Sequence, residues 1–212
     1  MATRDTYRHG NLRQALIAAG VELARTGGPD AVVLREATRQ AGVVPNAAYR
    51  HFDDRRALLS AVSQAALAEL ARAMELRTAE EADERPEGDE AGAQAVARAR
   101  LRALVRGYLS FARAEPGLFR AAFVTSDLEN TDTEAAAGTG GRTAFRLLSD
   151  ALDDLSACGM LPVERRPGAE YFVWAAVHGM AVLLIEGPLR GLLPGQAEEA
   201  EQRLLRAIER GL

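Results

Sequence analysis

The sequence contains no lysine: all 26 of its basic residues are arginine, which we attribute to genome composition. Its single cysteine, Cys158, leaves no internal disulfide framework, which fits a reducing compartment. Histidine is nearly as scarce, with residues at 9, 51 and 178 only. No nucleophile elbow accompanies them, so no catalytic constellation can be assembled. A metal site is disfavoured on the same grounds, because Cys158 has no companions at ligand spacing. Long apolar runs are missing too. The richest, FVWAAVHGMAVLLI at 172 to 185, contains His178 and falls short of the roughly 20 residues of a membrane helix. The N-terminus lacks the apolar core of a signal peptide. These absences lead us to expect a soluble cytoplasmic protein that is not an enzyme and uses no cofactor.

What is present is a chain of 212 residues, 48% apolar, enough for one large core or two small ones. A net charge of -4 argues against a uniformly basic nucleic-acid coat but leaves room for a local patch. Through residue 60 there are nine arginines against six acids, an excess of positive charge at the N-terminal end. The run TAEEADERPEGDEAG, residues 78 to 92, holds seven acids and one arginine, and its Pro86 and Gly88 predict a flexible connection too polar to bury.

The apolar periodicity is helical nearly throughout, and no sustained alternation marks a sheet, so the expected fold class is all-α. Leu12, Leu16, Ala19 and Leu23 form the stripe of a first helix that stops at Gly27, Gly28 and Pro29. A second runs from about Leu34 to Ala41 and ends at Gly42. Pro45 suits the first position of a short third helix running into Phe52. Asp53 and Asp54 are natural caps for a fourth helix carrying Leu58, Leu59, Val62, Ala66 and Leu70 past Met74. Further helices are expected over 94 to 113, 118 to 123, from Phe145 to Gly159, 168 to 186 and 196 to 210. AAAGTGGR, 135 to 142, has the glycines of a phosphate-cradling loop, but no strand precedes it and no lysine follows, so it reads as a linker.

Within AGVVPNAAYRHFDD, residues 41 to 54, a phenol, a guanidinium, an imidazole and a phenyl ring stand side by side. Two short helices joined at Gly42 and braced by longer ones have the layout of a helix-turn-helix. The second short helix would be the reader, bringing Asn46, Ala47 and Arg50 to base edges; Asn46 has the geometry to grip adenine. Tyr49 and His51 can donate to phosphates, Arg55 adds charge beside the flanking strand, and Phe52 packs inward. The plain alternative makes Tyr49 and Phe52 core and leaves Arg50 and His51 solvated. It must then also explain the helix-glycine-proline-helix spacing.

LREATRQAGVVPNAAYRHFDDRRALLSAV resembles the helix-turn-helix of TetR-type (tetracycline-repressor-like) transcriptional regulators, with an Ala-Gly-Val turn, a short helix ending Tyr-x-His-Phe, then a basic residue and a leucine pair. The resemblance covers about residues 9 to 62. It implies that Tyr49, His51 and Arg55 hold phosphates, and that Arg35, Pro45, Asn46 and Ala47 face bases. YRHGNL, 7 to 12, is similar to the opening segment of one subgroup whose basic arm lies along DNA. Val44 and Val33 depart from the pattern, standing where the family commonly has hydroxylated caps; a lost cap costs about 1 kcal/mol. Thr38 also departs, replacing a small apolar residue.

GYLSFARAEPGLFRAAF (107 to 123) and WAAVHGMAVLLIEGPL (174 to 189) are similar to the regulatory domain of the same subgroup, marked by Trp-x-x-x-His-Gly. That implies a small-molecule cavity and a second subunit paired through the last two long helices. Expected cavity residues are Tyr108, Phe111, Leu118, Phe119, Phe123, Trp174 and His178, with plain core as the alternative for each. Expected dimer contacts are Phe145, Leu148, Leu152, Leu155, Phe172, Val173, Val177 and Leu184. The expected organisation is a DNA-binding domain over 1-55 and a ligand-binding and dimerisation domain over 56-212. The function implied is a homodimeric repressor that binds a palindromic double-stranded operator and is released by a largely apolar small molecule. A helical enzyme and an interaction module without DNA binding are the rival readings.

Overall fold

A computed structural model describes residues 5–83, 92–124 and 133–212, with side chains from residue 12 onward. Within the described residues every regular element is helical, as the periodicity predicts. The long helices are α1 (Asp5–Gly27), α4 (Arg55–Asp83), α5 (Ala93–Ala114), α7 (Ala144–Ala157), α8 (Ala169–Ile185) and α9 (Pro194–Gly211). Shorter ones are α2 (Leu34–Gln40), α3 (Pro45–Ala48) and α6 (Pro116–Phe123). The chain divides into two compact units, Met1–Ala68 with Glu115–Ala136, and Glu69–Ala114 with Ala137–Leu212. Side chains of the segment YRHGN, and residues 84–91 of the acidic run, lie outside the described residues.

In the first unit α1 buries Leu16, Leu23 and Ala24 and stops where Gly28 turns left-handed at φ 70°. Gly20 lets α4 approach: a Cβ there would lie 2.5 Å from Val62 Cγ2. Gly117, just inside α6, is closer still, since its Cβ would sit 2.4 Å from the Ala24 carbonyl oxygen. An Arg25–Glu115 ion pair at 2.5 Å joins the same two helices, and the buried Ser63 hydroxyl donates to the Ala122 carbonyl at 2.6 Å.

In the second unit α5 buries Leu101, Leu104, Val105, Tyr108 and Leu109 against α7 and α8. Gly107 is the contact point with α4, where a Cβ would stand 2.8 Å from Met74 Cα. Arg102 grips Glu209 of α9 through two hydrogen bonds of 2.5 and 2.8 Å, and Arg106 donates to Glu81 at 2.9 Å.

Three expectations need correcting. The third helix is only four residues of regular α, because the amides of His51 and Phe52 both fold back on the Ala48 carbonyl at 2.9 Å and close the turn early. The fourth helix runs on to Asp83 and absorbs the front of the acidic run, where Arg77 bonds Glu80 and Glu81 one turn on. AAAGTGGR is not a slack linker. Its Thr139 and Gly140 amides donate to the two oxygens of the Glu75 carboxylate at 2.9 and 3.0 Å, and a Cβ on Gly138 would meet that carboxylate at 2.6 Å.

Candidate nucleic-acid interface and apolar cavity

Helix α2 ends in a Schellman turn, the backbone solution that a left-handed glycine makes cheap. Gly42 has φ 68°, its amide donates to the Arg39 carbonyl at 3.3 Å, and the Val43 amide donates to the Thr38 carbonyl at 3.0 Å. This fixes the angle at which α3 leaves, and Pro45 then starts α3 at its first position. The hydroxyl of Thr38, 1% exposed, reaches the Arg35 carbonyl at 2.8 Å, so the departure at this packed site is satisfied locally. Val33 and Val44 both precede their helices in extended conformation with no side-chain cap.

The buried and exposed residues of this stretch separate cleanly. Ala48 (0%) and Phe52 (3%) face the core, with the Arg13 guanidinium 5.3 Å from the Phe52 ring centroid. Arg35, Pro45, Asn46, Tyr49 and Arg50 are exposed and Ala47 is half-buried, which leaves one polar, cationic face for the residues expected to meet DNA. His51 is half-buried with its Nε2 shielded from solvent. Arg55 also has partners within its own chain. Its Nε donates to the Val32 carbonyl at 2.8 Å and its Nη2 to the Pro29 carbonyl at 2.7 Å. Asp54 caps α4, accepting the Ala57 amide at 2.8 Å.

The residues expected to line a cavity fall into three places. Tyr108, Trp174 and His178 come together in the second unit: the Tyr108 hydroxyl and His178 Nδ1 are 2.8 Å apart, and the Tyr108 and Trp174 rings meet edge-on at 5.6 Å. Burial pushes the Tyr108 phenol well above its ordinary range and pulls the His178 imidazole down, so both are neutral near pH 7. Tyr108 and Trp174 edge a small apolar cavity of about 20 Å³ with Met74, Leu104, Val105, Leu148, Val173 and Val177. Phe111 instead floors an open polar groove of about 590 Å³ carrying Arg77, Arg106, Arg113 and Glu201. Leu118, Phe119 and Phe123 belong to the first unit, with the Phe119 and Phe123 rings 5.1 Å apart.

Of the expected dimer contacts, Leu148, Leu152, Leu155, Val173 and Val177 are buried at 4% or less within the single chain and build its own core. Phe172 is exposed, Phe145 and Leu184 are half-buried, and Tyr171, Val182 and Leu183 extend the open apolar face of α8. Sequence reasoning missed Met74, Leu104 and Val105 as cavity walls. Their spacing on α4 and α5 marks them as apolar but does not say which helix they face. Among the described residues no helix is long and apolar enough to cross a membrane, and no group of three His, Cys, Asp or Glu residues could hold a metal.

A glycine-turned pair of short helices with a cationic outer face, on a chain that also folds a helical unit around an apolar cavity, defines a helix-turn-helix transcription regulator. Family models agree. The one described as "Bacterial regulatory proteins, tetR family" matches residues 16–62, and "Tetracyclin repressor-like, C-terminal domain" matches residues 101–208. The chain therefore belongs to the TetR family of DNA-binding transcription regulators, and is no enzyme. A structurally similar protein of unknown function from Rhodococcus sp. RHA1 is 26% identical, covers 99% of both chains and has a TM-score of 0.69. A TetR family transcription regulator from Marinobacter aquaeolei VT8 shares the fold at 18% identity, over 95% of this chain and 97% of that one, with a TM-score of 0.61. The fatty acid degradation regulator FadR from Bacillus halodurans does so at 16% identity, over 91% and 97%, with a TM-score of 0.59. No curated protein sequence matches the chain.

Proposed function

We propose that this protein is a cytoplasmic repressor of the Trp-x-x-x-His-Gly subgroup that binds a palindromic operator as a homodimer and releases it when a small molecule enters the second unit. The observation that carries the reading is the sorted face of α2 and α3, with Arg35, Pro45, Asn46, Tyr49 and Arg50 outward and Ala48 and Phe52 inward. Arg35, Pro45, Asn46, Ala47 and Arg50 meet base edges; Tyr49 and His51 grip the backbone. In the working division, residues 1-55 read and 56-212 sense and pair.

Pairing uses the open apolar face of α8, where Phe172, Val182 and Leu183 leave more apolar surface in water than a lone chain needs. The effector is uncharged and largely apolar, because the cavity is walled by aliphatic and aromatic side chains with no charged group among them. At about 20 Å³ the cavity has room for little more than a water molecule, so a ligand must part its walls. Met74, on α4, is one of those walls, and α4 begins at Arg55 immediately after the reader. Two readers must stand about 34 to 36 Å apart to enter successive major grooves, so a shift of α4 spoils the spacing. Coupling of this kind is worth about 1 to 3 kcal/mol.

Genome-wide recovery of bound DNA fragments tests this. A shared two-fold symmetric motif with half-sites about one turn apart supports it, and fragments without any common sequence contradict it.

A further inference from the structure

The reader is bracketed by one guanidinium. Helix α2 begins after Val33, which offers no side-chain cap, and the 3₁₀ turn leading into it is Pro29–Ala31. Arg55, the first residue of α4, sits just past the far end of the reader and reaches back across 26 residues to that turn. It donates to the Val32 carbonyl from Nε at 2.8 Å and to the Pro29 carbonyl from Nη2 at 2.7 Å, and the carboxylate of fully exposed Asp30 lies 3.9 Å away. A cation at a helix N-terminus meets the positive end of the helix dipole, so this position is unfavourable unless carbonyl oxygens compensate. Here they do. Lysine, with one nitrogen, cannot span both carbonyls in this fork geometry.

We propose that Arg55 is a positioning residue of the reader rather than a phosphate contact: it ties the lead-in of α2 to the start of α4 and so closes residues 33 to 54 into a loop of fixed geometry. The outward residues Arg35, Asn46 and Tyr49 owe their mutual placement to this tie. The inference refines the proposed DNA-reading role and rests on it for its binding arm only.

Two measurements on the full-length protein test it with R55K, which keeps the charge, and R55Q, which loses it. In the free protein, hydrogen exchange at the amides of Ala31 and Val32 should accelerate several-fold in both variants. Wild-type exchange in R55K would overturn the proposal. With a recovered operator duplex, both variants should bind about equally weakly, roughly tenfold below wild type, with the slope of log affinity against log salt unchanged. A phosphate contact predicts the opposite: R55K like wild type, and R55Q with a slope shallower by about 0.9. A chain that binds no duplex at all would count against the DNA-reading role, while the exchange arm still decides the tie.

Discussion

The two units hold their helices in place by different means. In the first, the reader is shaped mostly by devices close in sequence, the Schellman turn at Gly42, Pro45 at a helix start, Asp54 as a cap and the short reach of Thr38 to Arg35, with the tie from Arg55 to Pro29 the longer exception. In the second, the cavity is assembled from side chains on four helices far apart in sequence, with Met74 on α4, Leu104 and Tyr108 on α5, Leu148 on α7 and Trp174 on α8. Polar ties there are long-range as well, such as Glu75 to the Thr139 loop and Arg102 to Glu209. A reader built locally keeps its shape while the rest of the chain rearranges. A cavity built from distant helices is the part that a ligand can reshape.

The largest effect expected from breaking this contrast lies at a helix crossing. Gly117→Val should destabilise the first unit by about 3 kcal/mol, because even a Cβ overlaps the Ala24 carbonyl, and chemical denaturation would read it. Gly42→Ala is milder, about 1 to 2 kcal/mol, because space is open around it and only the positive φ is strained.

In the second unit, Tyr108→Phe removes the hydroxyl facing His178 and should cost about 1 to 2 kcal/mol in the same assay while altering effector response. His178 adds a pH arm. Burial lowers its folded pKa below the unfolded value of about 6.5, so the unfolded chain takes up the proton first. The stability it contributes is therefore present above that value and lost as pH falls through the folded pKa. His178→Gln should flatten the stability profile below about pH 6.5; an unchanged slope would contradict it. Glu75→Gln should cost about 1 kcal/mol, since a carboxylate receiving two amides becomes an amide that can receive them through one oxygen. The smallest effect has the opposite sign: Val44→Ser supplies the missing cap and should stabilise by about 0.5 to 1 kcal/mol.

The same contrast explains what was legible beforehand. The all-helical fold, the stop at Gly28, the turn at Gly42 and the inward Phe52 were readable because each is decided by residues within a few positions of one another. The early end of α3 was missed because Tyr49 and Arg50 continue the helical pattern while the His51 and Phe52 amides close on Ala48. AAAGTGGR reads as a linker because no strand precedes it and no lysine follows, and nothing near it in sequence announces that its amides hold the carboxylate of Glu75, more than 60 residues back. That two carbonyls near Pro29 lie within reach of Arg55 could not be read from its place in the sequence, because they are 23 and 26 residues away. Leu148, Leu152 and Leu155 were readable as buried, but not as buried within their own chain.

The most direct test of the central claim is the salt dependence of duplex binding by the full chain and by an Arg50→Ala, Tyr49→Ala variant, followed by fluorescence anisotropy of a recovered operator fragment. The α2–α3 face as a DNA reader predicts tight wild-type binding that weakens steeply with salt, and a variant at least about tenfold weaker throughout, having lost a base contact with Arg50 and a phosphate contact with Tyr49. Superimposable curves for the two proteins would contradict it.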